Sequence, residues 1–178
     1  LRRVVEEAHA QGLHVWMMTF TLQHDARDPL AELIDALKDA LRRVKRGAPW
    51  RRFKKRLGVK SYVGAFEVTH GRYGFHPHAH YIVISDDKLT PQETQEAREW
   101  LTERYNRFLR KHHGRYCSEV HGVDIRTSAA VDYVTKFGLR ESYELTGLEY
   151  KTAHGMTPFK LLDAYRDGNK QAGALFRE

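Results

Sequence analysis

Apolar residues recur at helical spacing in some stretches of the chain, and run together or alternate in others. Residues 1–11 carry the helical pattern and stop at Gly12, a residue type that ends helices. His14 to Leu22 (HVWMMTFTL) is β-branched and aromatic and predicts a buried strand. Asp28-Pro29 opens a helix running to about Lys45, with Leu30, Leu33, Ile34, Leu37 and Leu41 on one face. Further strands are predicted from about Lys60 to Thr69 and from about His78 to Ile84. The turn-rich His70 to Gly74 between them predicts an antiparallel hairpin.

Thr90-Pro91 starts a helix that ends near His112, before Gly114. Residues 115–126 predict one or two strands, of which Gly122 to Arg126 is the clearest. Thr127 or Ser128 caps a short helix that stops at Gly138, and Thr157-Pro158 begins a last one. Strands and helices in this order, with at least one antiparallel pair, fit an α+β fold better than a parallel doubly wound sheet. No internal repeat or low-complexity tract interrupts them.

The 178 residues fit a single domain able to bury a core. The chain starts and stops inside helical patterns, which predicts an excerpt of a longer protein. A formal net charge of +7 favours a polyanionic partner. One cysteine, Cys117, excludes an internal disulfide and a multi-cysteine zinc site. No apolar run approaches the roughly 18 residues of a membrane span, and the first residues do not show the charged-then-apolar pattern of a signal peptide. A cytoplasmic protein without membrane partners is expected.

The most informative stretch is Phe75-His-Pro-His-Ala-His-Tyr-Ile-Val-Ile84. Alternate strand residues share a face, about 6.6 Å apart. His78 and His80 therefore point the same way and can converge on one metal ion, anchored by the apolar run Tyr81 to Ile84. His76 has the same parity, but Pro77 removes a ladder hydrogen bond and predicts a break there. Glu67, on the neighbouring predicted strand, can bring a carboxylate beside the pair. Two imidazoles and a carboxylate leave coordination positions for a substrate oxygen.

Two other features suggest chemistry. On the predicted helix AAVDYVTKF, Tyr133 and Lys136 are three apart and share a face. A phenol with a pKa of about 10 attacks poorly unless a cation and a polarised phosphate assist it. Arg42 to Arg56 carries nine positive charges in fifteen residues, interleaved with Trp50 and Phe53. Arg51, Arg52, Lys54 and Lys55 are candidates for DNA phosphates, and Trp50 for base stacking. The plainer reading is a solvated helix end with its aromatics in the core.

In family order, Phe20-Thr-Leu-Gln-His24, His76-Pro-His-Ala-His80 and Tyr133-Val-Thr-Lys136 resemble the three motifs of rolling-circle plasmid replication initiators, members of the HUH endonuclease superfamily. The resemblance spans roughly residues 14–138, and its second motif is the most specific. It implies an antiparallel sheet of about five strands flanked by helices, the RRM-like architecture of that superfamily. It further implies Mn²⁺ or Mg²⁺ on His78, His80 and Glu67. Tyr133 would form a 5′-phosphotyrosine link with release of a priming 3′-OH, and Lys136 would orient the nucleophile or the ion. The implied partners are single-stranded or hairpin origin DNA, a host helicase and a DNA polymerase. Two departures stand out: Gln23 replaces a second threonine, and Ala129 stands where some single-tyrosine relatives carry glutamate. Other readings are a transposase or relaxase of the same chemistry, a non-catalytic nucleic-acid-binding domain with a structural metal, and a zinc hydrolase. Tyr133 with Lys136 argues against the last two.

Overall fold

A computed structural model describes residues 2–127 and 156–177. The elements are α1 (Arg2–Ala10), β1 (His14–Thr21), α2 (Leu30–Val44), α3 (Gly47–Arg56), β2 (Val59–Gly71), β3 (Gly74–Ser85), α4 (Pro91–His113), β4 (Val123–Arg126), α5 (Pro158–Arg166) and α6 (Lys170–Arg177). The strands form one antiparallel sheet in the order β2-β3-β1-β4, flanked by helices, so the fold is α+β.

Among the described residues the sheet has four strands, where about five were expected. The difference lies in residues 115–121. There the Asn106 side chain accepts from Cys117 N (2.7 Å) and donates to Cys117 O (3.2 Å), while Gly122 N donates to Ser118 O (2.8 Å). Those bonds make a pinned loop, leaving only Val123–Arg126 to pair with β1.

Parity along the strands sorts the core. Trp16, Met18 and Phe20 of β1 and Phe75, Ala79, Tyr81 and Val83 of β3 face one side, where Leu33, Leu37 and Leu41 of α2 and Leu101, Tyr105 and Leu109 of α4 cover them. On the opposite side Val5 and Ala8 of α1 pack on Val15, Met17 and Ile82 at one end of the sheet. α4 is fixed at both ends. Thr90 and Glu93 form a capping box, and Gly114, at φ +62°, closes the helix in a left-handed turn.

The β2–β3 hairpin turns tightly through Arg72-Tyr73, with Gly71 paired to Gly74. Gly74 has φ +88°, and a Cβ there would lie 2.8 Å from both Asp25 O and Ala26 Cα. Pro77 does not break β3, contrary to expectation: it pairs with Val68 inside a continuous strand. Its carbonyl faces β1 and accepts from Thr21 Oγ1 at 3.4 Å. Its absent N–H therefore falls on that same side, just past the last β1 pair, Thr21↔His78, where no ladder bond is lost. Among the described residues no helix is long and apolar enough to cross a membrane.

Candidate metal centre

The site lies on the half of the sheet that α1 leaves uncovered. His76, His78 and His80 share a face of β3, and register sets Glu67 of β2 opposite His78 and Thr19 of β1 opposite His80. Ring centroids are 4.1 Å apart for His76–His78 and 5.7 Å for His78–His80. Ala65, opposite His80, is small, so the Glu67 side chain can reach diagonally across the ladder. Its Oε2 lies 3.1 Å from His80 Nε2, with the two side chains only 14% and 10% exposed.

The ligand atoms of Glu67, His78 and His80 all lie within 4.8 Å of one another, and the group can hold a metal ion. Metal–ligand bonds of about 2.0–2.2 Å place donors at most about 4.4 Å apart. Side-chain adjustments of a few tenths of an ångström therefore close the set. The donor chemistry fits as well: two imidazoles and one carboxylate suit a divalent transition ion and leave positions open.

The other nitrogen of His80 is also engaged. Thr19 Oγ1 lies 3.0 Å from Nδ1. A hydroxyl can donate or accept, so Thr19 serves either tautomer; with Nε2 turned to an ion, Nδ1–H donates to Thr19. Thr21 Oγ1 similarly lies 2.7 Å from His76 Nε2. The His24 ring is 4.6 Å from that of His76, and its Nδ1 is 3.0 Å from Tyr73 O. Burial first, then the His24 imidazole, hold His76 below the ordinary histidine pKa, against the pull of Glu67. His76 thus buttresses the site without belonging to the ligand group.

The sequence reading missed Thr19, although its parity was visible. It is two residues from Thr21 on a strand that is otherwise almost wholly apolar. The strand thereby has a role at the site, since its two threonines hold His80 and His76. Tyr133 and Lys136 lie outside the described residues, as do Ala129 and the short helix expected before Gly138.

The basic segment is not where the histidines are. α3 packs on the helical side of the sheet, with Trp50 and Phe53 buried against Tyr62 and Trp100. Base stacking by Trp50 is corrected on this ground: the indole is 5% exposed, packed with Phe53 and Trp100 and in T-shaped contact with Tyr62. Arg51, Arg52 and Lys55 are exposed and Lys54 half-exposed, none with an acidic partner among the described residues. Arg42 and Arg43 pair with Asp39, and Arg56 with Glu96.

No protein-family model matches the chain. A neomycin resistance protein of Streptomyces cyanogenus is 34% identical over 99 residues, covering 42% of this chain. The match spans 23% of that protein, under a quarter of its length.

Proposed function

We propose that this domain is a metal-dependent endonuclease that nicks single-stranded DNA through Tyr133, in the manner of rolling-circle replication initiators. The observation that carries the reading is the Glu67–His78–His80 group on one sheet face, with Thr19 behind His80. Mn²⁺ is the favoured ion, since imidazoles suit it better than Mg²⁺, which prefers oxygen donors. When bound, the ion polarises the scissile phosphate.

His78, His80 and Glu67 hold that ion, and Thr19 fixes which nitrogen of His80 faces it. The Tyr133 oxygen attacks phosphorus, the P–O3′ bond breaks, and the phenol's proton ends on the departing 3′-oxygen. Lys136 steadies the phenolate. The chain geometry is compatible. Asp124 of β4 lies opposite Thr19, which lies opposite His80, so β4 and the site are two strands, or about 10 Å, apart. Tyr133 follows Arg126 by seven residues, a reach of up to about 24 Å. The partial likeness to a resistance protein lends no reaction to this reading, because it touches so little of that protein.

The test is incubation with hairpin-bearing single-stranded DNA and Mn²⁺, followed by denaturing electrophoresis. A covalent protein–DNA band is expected, absent from Tyr133→Phe, from His78→Ala and in EDTA. A normal band from Tyr133→Phe would move the nucleophile elsewhere. No band from the parent, with DNA binding intact, would favour a non-catalytic nucleic-acid-binding domain.

A further inference from the structure

A second feature lies on the other side of β2 from the metal centre, in the groove between that strand and α2. Lys38 of α2 and Lys45, the residue that caps its C-terminus, are seven residues apart, two turns or about 10.5 Å along one face. Tyr62, Gly64 and Phe66 face them from β2. Each ammonium sits over a ring: Lys38 Nζ is 5.5 Å from the Phe66 centroid, and Lys45 Nζ is 4.2 Å and 5.7 Å from those of Tyr81 and Tyr62. The Tyr81 ring lies over Gly64 between the two sets. Any Cβ there would meet Tyr81 Cε1 at 2.3 Å, so the strand lies flush on the Tyr81 ring.

Among the described residues no carboxylate offsets the charges in this groove. Lys45 is half-buried, its Nζ donates to Tyr81 Oη at 2.6 Å, and burial lowers its pKa from the ordinary lysine value. Neither Lys38 nor Lys45 has a carboxylate partner among the described residues. Asp39, the acid next to Lys38, is taken up by Arg43, Arg42 and His113. A partly desolvated cation facing neutral rings is complementary to an incoming anion. Phe66 is 47% exposed, unusual for a large ring beside a cation in a chain of net charge +7.

We propose that the groove between α2 and β2 binds a single-stranded nucleic acid, with Lys38 and Lys45 on its phosphates and Phe66 stacked on a base. Aromatic platforms beside cations bind unpaired strands because every base has a π-face, while a duplex keeps its bases stacked internally. Position ties the groove to the metal centre. Phe66 and Glu67 are consecutive and point to opposite faces of the sheet, so a strand seated at Phe66 is one residue's width across the β2 edge from the ligand set. The inference extends the proposed function but rests on the groove rather than on nicking.

The experiment is fluorescence anisotropy without added metal, using a labelled single strand of roughly 16 nucleotides and the matching blunt duplex at several salt concentrations. Phe66→Ala is expected to weaken the single strand at least about fivefold and the duplex little. Lys38→Gln with Lys45→Met is expected to lower the single-strand salt slope by about 1.4. Lys38 and Phe66 are both exposed, so Lys38→Gln/Phe66→Ala keeps the test valid if replacing Lys45 disturbs folding. Parent-like affinity and slope in that folded double variant would overturn the proposal, as would equal losses on the duplex. Loss of binding to phosphatidylserine vesicles with single-strand binding intact would overturn it too, making the groove a membrane-surface site. Failure of the parent to form a covalent adduct would retire the nicking reading alone.

Discussion

Removing the hydroxyl of Thr19 while keeping its shape separates a metal centre from a mere histidine cluster. Thr19→Val swaps an oxygen for a methyl group on a strand residue that faces His80 directly. His80 is 9% exposed, and both of its nitrogens are engaged, Nδ1 by Thr19 at 3.0 Å and Nε2 by Glu67 at 3.1 Å. Without the hydroxyl, Nδ1–H loses its acceptor when Nε2 turns to an ion, and the ring is no longer held in one orientation. Losing such an outer partner typically costs 10- to 100-fold in metal affinity, about 1.4–2.7 kcal/mol. The assay is titration with Mn²⁺, following the free ion by electron paramagnetic resonance. Thr21→Val is the matched control. Its hydroxyl serves His76, outside the ligand group, and its affinity should stay within about threefold of the parent on the same scale. A Thr19→Val protein with parental affinity would refute the reasoning, and so would an equal loss in Thr21→Val.

Replacing Arg51, Arg52, Lys54 and Lys55 together with alanine should flatten the salt dependence of single-strand binding by up to about 0.7 per lost phosphate contact; an unchanged slope would make them a solvated helix face. Trp50→Ala should act on stability, costing about 3–5 kcal/mol and lowering Tm by on the order of 10 °C. Unchanged melting with weakened DNA binding would return the indole to a stacking role. Arg43, then Arg42 and His113, hold the Asp39 carboxyl well below the ordinary aspartate range. A depressed folded pKa gives stability that is complete above the unfolded value, near 3.8, and is lost as pH falls toward the folded one. Asp39→Asn should therefore lower Tm at pH 7 by roughly 2–4 °C, for about 1 kcal/mol, with the deficit shrinking below about pH 4. A deficit constant from neutral pH to strongly acid conditions would contradict this.

The histidine strand was legible because a period of two needs no partner strand to be read: His78 and His80 share a face wherever β3 pairs. Pro77 misled for the complementary reason. Whether a missing N–H costs a ladder bond depends on where the neighbouring strand stops, and β1 stops one pair short of it. Trp50 was ambiguous between a base platform and a core residue because one helix, α3, carries both the cations and the rings. Its buried side is set by Trp100, fifty residues away.

Thr19 shows most clearly what a single strand's pattern cannot hold. Along the uncovered face, β1 changes from Val15 and Met17 to Thr19 and Thr21, and β3 from Ile84 and Ile82 to His80 and His78. Each change is visible alone, yet a threonine in a β-branched strand reads as ordinary strand composition. Register makes the two changes coincide: Met17 pairs with Ile82 and Thr19 with His80. One boundary therefore crosses both strands, with apolar residues on one side and polar residues on the other. α1 covers the apolar side, packing Val5 and Ala8 on Met17 and Ile82. On the polar side the donors converge, and Glu67 completes the group from β2 at the same level. The metal centre is thus a consequence of alignment. A shift of one residue between β1 and β3 would turn Thr19 to the opposite face from His80 and leave the imidazole unsupported.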